Sequence, residues 1–585
     1  MKKLLVLILS LCLVAGCATT ESTESTGMSA GTYTATATGY HGDITIDVTV
    51  SDTAIEEIVV VEESETEGIG AAALPLLVEA AVTGQNATPD AISGATITSV
   101  AFNEALTDAL TQAGADLTDF EGTATDTAKE QIEETYDVVV VGAGLAGLSS
   151  ALVAAQSGKS VVVLEKMGVI GGASAMAGGG TIATGSQWAI EDGSTETAEE
   201  LVDYLLENGH YNNHVETVEL YANTVGEAFD WFVSEDGANV PYTRSLSTRN
   251  YSVDGRGTAA VSSVAASLEN LGIEILTSTP ATELIIEDGV VTGVIAEGTT
   301  ADYTLNATSV VLATGGYGNN DELVDEQYLN YVYAGAPGAD GDALIMVESL
   351  NADLINTEFV NTQPNSMVLP SGLGQYTNPG VNKAYATSGA YIVNQDGVRF
   401  ANEVGDSWDL IQAMAENTTN YIIMDQASFD AFNEAMIASN IYSEDDVTTW
   451  LENNGTSQPV MVTADSFAEL ETTLSLPEGS LTASATQYNE DVAAGVDEFG
   501  REVTLEIETD GPVYALQMWI RYYATLGGLH VNDDFQVLNT DLEAIEGLYA
   551  AGEVIGGLCG DIYAGGSLFS WAMTSGYGAG VSVSE

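Results

Sequence analysis

Basic residues are what this sequence has least of. Twelve Lys and Arg stand against 86 Asp and Glu, a formal net charge of −74 over 585 residues. A chain this acidic is repelled by nucleic acid and by anionic lipid headgroups, which excludes both as partners of its surface. It also makes any cation inside a site conspicuous. Cysteine is nearly absent: Cys12, Cys17 and Cys559 are the only three. They support no disulfide framework, iron–sulfur cluster or CxxCH haem attachment. Four scattered histidines argue against a metal site. Any electron transfer through this chain therefore has to run on organic cofactors. What is plentiful is apolar residues, 45% of the chain, and glycine, 61 residues. The length and apolar content predict two or three packed domains.

The chain opens on Lys2 and Lys3, an apolar run from Leu4 to Val14, and Val14-Ala15-Gly16-Cys17. The run is too short to span a bilayer well. The last four residues resemble a lipoprotein box, which implies cleavage before Cys17 and lipidation of its thiol. The expectation is a signal peptide over 1–17, a Thr/Ser/Glu-rich tether over 18–29, and a protein on the extracytoplasmic face of the cell membrane. The lipid anchor would be its only membrane contact.

Residues 31–61 alternate polar and apolar side chains in three runs, the signature of antiparallel strands. An apolar-rich helical stretch spans 71–82, and a second helix is expected over 100–113. Between them lies Asp90-Ala91-Ile92-Ser93-Gly94-Ala95-Thr96. This segment resembles the FMN-binding domain of flavinylated respiratory proteins, over residues 30–115. The resemblance implies a covalent FMN, joined as a phosphoester to Thr96 by a dedicated flavin transferase.

A polar stretch over 116–134 reads as a linker. Then Tyr136–Val141, Gly142-Ala143-Gly144-Leu145-Ala146-Gly147, a small-residue helix to Ser157 and Val161–Leu164 ending in Glu165 follow in order. Strand, GxGxxG turn, helix, strand and acid about 20 residues on form the dinucleotide-binding unit: the glycines admit a pyrophosphate and the carboxylate accepts ribose hydroxyls. The loop Gly171–Gly180 can wrap a flavin, and strands run into glycine turns at Gly315 and again before Glu553. These elements resemble the flavin subunit of the fumarate reductase, succinate dehydrogenase and 3-ketosteroid dehydrogenase superfamily, over about 135–583. The implied fold is α/β: a Rossmann-like FAD domain (135–358 and 519–585) with an inserted α+β capping domain (359–518), preceded by the small α+β FMN-binding domain. The implied FAD contacts are Gly142, Gly144, Ala146, Gly147, Glu165, Lys166, Gly172, Ala173, Ser174, Gly178, Gly179, Gly315, Asp342, Glu553, Ser567 and Leu568. No second nucleotide fingerprint is present. Electrons are therefore expected from a membrane donor through FMN rather than from NADH.

The substrate side departs from the fumarate reductases. Their Asn-Glu-x-x-x-Arg proton-donor stretch reads Asn402 to Ser407, their His before Thr-Met-Gly-Gly is Ala524, their C-terminal Arg is Tyr563, and their His-Pro is Gln363-Pro364. Tyr563-Ala564-Gly565-Gly566 is instead similar to the Tyr-containing run of ketosteroid dehydrogenases. That likeness implies a Tyr563 hydroxyl and a Gly566 N–H holding a ketone oxygen. The main expectation is an enone reductase, such as one acting on a 3-ketosteroid, with Asp406 or Ser407 supplying the proton. Lys383, Tyr385 and Trp408 are expected to line the substrate pocket. The alternative is a reductase of an unsaturated acid, whose carboxylate Lys383, Arg521 or Arg256 would hold. A third reading is a flavin electron carrier without catalysis.

Overall fold

A computed structural model describes residues 28–40, 42–65, 68–121, 129–243, 250–439, 441–502 and 505–585. The expected signal peptide, Cys17 and nearly all of the expected tether lie outside the described residues. No described helix is long and apolar enough to cross a membrane.

The N-terminal domain is a three-stranded antiparallel sheet, Gly31–Thr38, Asp43–Val50 and Ile55–Glu62, with the middle strand central. Its alternation turns Ile44, Ile46, Val48 and Val50 inward. The helices Gly70–Gly84 and Thr96–Gln112 supply the other half of this core through residues such as Leu74, Leu77, Phe102 and Leu106. The second helix begins earlier than periodicity indicates. Ala95 N–H donates to Ile92 O at 2.9 Å across a Ser93-Gly94 turn, with Gly94 at φ +86, and Thr96 is the first helical residue. The domain also reaches beyond its expected limits. Met28 is buried in its core and Ser29 N–H donates to Ala113 O, so the tether ends before residue 28. At the other end Phe120 packs into the same core.

The expected linker over 116–134 is correspondingly shorter. Strand Glu130–Val141 pairs in parallel with Ala301–Leu312 along its whole length, starting at Glu130↔Ala301. Its first part is polar because it is mostly exposed, which is why the sequence reads there as a connector. The second half, Val138 to Val141, is buried on both faces. Parallel neighbours follow on one side at Val161–Leu164 and then Glu274–Leu276. The C-terminal helix Ser567–Ser582 lies against the helix Leu145–Gln156. A Cβ at Gly576 would sit 2.4 Å from Ala146 O, so only glycine permits this approach.

The capping domain holds a second sheet, and here the expected boundary at 518/519 fails. Val513–Thr525 is one unbroken 13-residue strand with no Gly or Pro to end it. It pairs with cap strands Asn420–Asp425 and Met461–Ala464 at one end, and with Val332–Tyr333 of the FAD domain at the other. Cap and FAD domain are thus joined by a rigid ladder, and Arg521 stands on its FAD-side half.

Candidate active site

One cavity of about 900 Å³ runs from the N-terminal domain, through the dinucleotide-binding turn, to the junction of FAD domain and cap. Its first wall is made by Thr96, Thr98, Tyr40 and Glu65. Thr96 is exposed to it at the start of a helix. Beside it, Thr98 Oγ1 donates to Glu65 Oε2 and Tyr40 N–H donates to Glu65 Oε1, both at 2.7 Å. The N-terminal domain touches the FAD domain through small residues. Ser93 Oγ lies 3.7 Å from Met167 Sδ, and Cβ atoms built at Gly68, Gly94 and Gly168 would meet Thr258, Met167 and Ile92 respectively.

The middle wall tests whether a dinucleotide fits. Gly142 has φ +111, and a Cβ there would lie 2.2 Å from Ala313 O; a Cβ at Gly147 would lie 1.9 Å from Gly142 O. These two glycines make the turn. Around Gly172, Gly178 and Gly315, by contrast, a built Cβ meets nothing within 4 Å, and all three line the cavity. The helix Leu145–Gln156 points its N-terminus at this space with no acid in its first turn, a ready site for a pyrophosphate. Gly144, Ala146, Ala173 and Ser174 line it too. Glu165 Oε2 accepts from Ala143 N–H at 2.9 Å and Oε1 from Met167 N–H at 2.8 Å. The carboxylate therefore braces the turn while keeping lone pairs for a ribose. Lys166 is clamped by Asp340 and Asp342 at 2.7 and 2.6 Å. Ser567 does not face the cavity: it is fully buried and its hydroxyl donates to Ala564 O. Gly147 and Gly179 shape the loops without lining it, whereas Leu568 lines it. Glu553 also lines it and accepts from Thr525 N–H at 2.9 Å; burial with no cation beside it pushes its pKa up to about 7.

The far wall holds Arg521, Tyr523, Tyr376, Gln375, Ile441 and Tyr563. The Arg521 guanidinium carbon lies 5.0 Å from the Tyr523 ring centre and 5.8 Å from that of Tyr376. Its Nε is sealed from solvent without a hydrogen-bond partner, and no described carboxylate pairs with it. Burial accordingly pulls its pKa down. Tyr563 accepts a hydrogen bond from Gly566 N–H at 2.7 Å, and burial raises its pKa. Gly566 itself does not line the cavity, and its N–H is spent on the phenol oxygen.

Five expected residues of the substrate side lie elsewhere. Asp406 is exposed and caps the helix Ser407–Ala415, accepting from Trp408 N–H at 2.8 Å; Ser407 is exposed at the first turn. Trp408 packs on His210, ring centres 5.3 Å apart. None of the three lines the cavity. Lys383 is on the outward face of its helix, Asn378–Thr387, and exposed. Tyr385, on the inward face, is buried in the cap core under Arg501, so it is a packing residue. The residues that sequence reasoning missed are Tyr376 and Gln375, from a three-residue strand too short to leave a pattern, and Tyr40 at the other end.

The family described as FAD binding domain matches residues 137–569. The chain belongs to that family. Residues 39–111 match the FMN-binding domain. A urocanate reductase of Eggerthella lenta is 29% identical over 570 residues, covering 93% of this chain and 91% of its own. The open conformation of a flavocytochrome c3 fumarate reductase matches with a TM-score of 0.63 at 24% identity, covering 77% of this chain and 78% of that one. A 3-ketosteroid-Δ4-(5α)-dehydrogenase of Rhodococcus jostii RHA1 matches with a TM-score of 0.59 at 23% identity, covering 79% and 99%. These two structures share the fold. The cofactors are FAD and FMN. Like its family, the chain is an FAD-dependent oxidoreductase acting on CH–CH groups, with a small-molecule substrate and an electron donor.

Proposed function

We propose that this protein reduces the C=C bond of an α,β-unsaturated carboxylic acid, with electrons passing from FMN on Thr96 to FAD. The observation that carries the reading is Arg521. Of twelve Lys and Arg, eight lie among the described residues, and three of those, Lys166, Arg256 and Arg521, line this one cavity. Lys166 is neutralised by two aspartates; Arg521 has no counter-ion among the described residues. A desolvated, unpaired guanidinium costs several kcal/mol, and a planar carboxylate is the partner its fork fits. The similarity to a urocanate reductase, whose named substrate is an unsaturated acid, supports this reading over the enone first expected from Tyr563.

Bound FAD supplies the two-electron reductant for such a bond. Arg521 holds the carboxylate and draws charge away from the alkene, which makes the β-carbon electrophilic. The rings of Tyr376 and Tyr523 flank the guanidinium and shield it from water. Thr96, placed at the cavity's other end, puts a flavin esterified there within the same enclosure. The lipid anchor at Cys17 and the extracytoplasmic site remain part of the proposal. A membrane donor and a flavin transferase for maturation belong with them.

The enone reading keeps one specific support, the Tyr563 hydroxyl at the cavity wall. Reoxidation separates the two. The protein is reduced with one equivalent of dithionite and mixed with acrylate, fumarate, urocanate, cinnamate and a 3-keto-4-ene steroid. Rapid reoxidation by one or more acids is expected. Reoxidation by the steroid alone overturns the acid. A Thr96→Ala protein that still carries flavin through denaturation overturns the attachment.

A further inference from the structure

Reducing a C=C bond needs a proton as well as electrons, and the residues at the family's proton-donor place are out of reach. Asp406 is committed to capping a helix, Ser407 is exposed, and neither lines the cavity. The groups that do line it are mostly engaged. Tyr333 donates to Ala336 O at 2.8 Å, Asp342 is bound to Lys166, and Glu165 receives two backbone N–H groups. Tyr376 and Tyr523 lie against Arg521. Tyr563 differs. Its oxygen accepts the Gly566 N–H at 2.7 Å, so its own hydrogen is not used in that bond, and no described acceptor takes it. Tyr523, the ring against Arg521, is also close enough to Tyr563 to oppose its ionisation.

We propose that Tyr563 is the general acid of the reaction, its phenol proton left free for the substrate because the Gly566 N–H occupies its oxygen. The inference rests on the unsaturated-acid reading and changes the role of Tyr563 from holding a carbonyl to delivering a proton. The β-carbon receives two electrons and one hydrogen from the reduced flavin. The α-carbon then takes the proton of Tyr563 Oη: the O–H bond breaks, a C–H bond forms, and the substrate is reduced by two electrons as the flavin is oxidised. The Gly566 N–H, already aimed at the oxygen, stabilises the tyrosinate left behind. Water entering at the cavity mouth restores its proton. A backbone donor at the start of the helix Ser567–Ser582 cannot move away during this step, so the stabilisation needs no reorganisation.

The test uses the holoprotein and the acid that best reoxidises wild type in the panel above. Two quantities are measured for wild type, Tyr563→Phe and Glu553→Gln. The first is the Kd of the acid, from its perturbation of the oxidised flavin spectrum. The second is the reoxidation rate at saturating acid, in H₂O and D₂O across pH 5–10. Tyr563→Phe is expected to keep Kd within about threefold and to lose roughly 10²–10⁴-fold in rate, the range general-acid catalysis contributes. Glu553→Gln, at a carboxyl lining the same cavity, tests the rival acid and is expected to retain the solvent isotope effect, whatever its rate. A Tyr563→Phe protein that reoxidises at the wild-type rate overturns the inference, as does one weakened in Kd with its saturated rate intact. A loss of rate and isotope effect in Glu553→Gln alone gives the role to Glu553. If no acid in the panel reoxidises wild type, the substrate reading itself fails and takes this inference with it.

Discussion

Arginines in this molecule are treated in two opposite ways. In the cap, Arg399 makes a two-pronged pair with Glu403 at 2.7 and 2.9 Å and a further ion pair with Asp497; Arg501 shares Glu403 at 3.1 Å and donates to Ala390 O. Both also face aromatic rings, Tyr488 among them. Every charge there is answered by protein. On the Val513–Thr525 strand, Arg521 has the aromatic rings and lacks the carboxylates. The paired set is closed and holds the cap together. The unpaired one faces a cavity, and that difference supports the binding role proposed for it.

The comparison can be broken by substitution. Arg399→Gln strands Asp497 in the cap interior, leaves Glu403 with Arg501 alone, and is expected to cost about 3–5 kcal/mol, the loss seen when one partner of a buried pair is removed; denaturant unfolding measures it. An effect below 1 kcal/mol would make the cap network as dispensable as Arg521. Glu553 extends the contrast to a buried carboxylate without a cation. Its pKa is raised to about 7 from 4.5, so the neutral form is favoured in the folded protein. The stability it contributes is complete below pH 4.5 and drains away as pH rises through about 7. That loss is at most about 3 kcal/mol at roughly 1.4 kcal/mol per pH unit. Glu553→Gln should flatten the pH dependence of thermal unfolding in that window. Arg521→Gln should leave stability unchanged or slightly raised. It should weaken binding of the acid roughly 10- to 150-fold, equivalent to the about 1.5–3 kcal/mol of a charged hydrogen bond. Equilibrium titration of the oxidised flavin reads it. Lys383→Ala, at an exposed cation, should change neither the Kd nor the melting temperature. A change in Kd would return that lysine to the pocket.

The dinucleotide-binding unit was legible in the sequence because its demands are local. Gly142 and Gly147 are required by backbone contacts within a single turn, and Val138–Val141 are buried on both faces. A reader of the chain sees the same constraints the fold imposes. Thr96 stood out for the same reason, at the end of a short motif. The substrate wall was less legible. Asp406 is the kind of residue that serves equally well as an acid and as a helix cap, and only the fold shows which. Among Lys383, Arg256 and Arg521, sequence could name candidates and could not say which is sheltered at the cavity wall, because burial is decided by strands and loops far apart in the chain. The cap boundary at 518 failed on a related point. A strand that begins in one domain and ends in another carries no Gly or Pro where it crosses. The polar half of Glu130–Val141 reads in sequence as a linker because an exposed strand and a connector share a composition.

Among the described residues, the contact between the N-terminal domain and its neighbour includes the turn at 92–94 and Gly68 on one side, and Met167, Gly168 and Thr258 on the other. A side wall that meets the chamber through short turns and small residues is a replaceable part. The same reaction chamber could accept a different electron-supplying module with changes at a handful of positions, and the chemistry behind it would not need to be rebuilt.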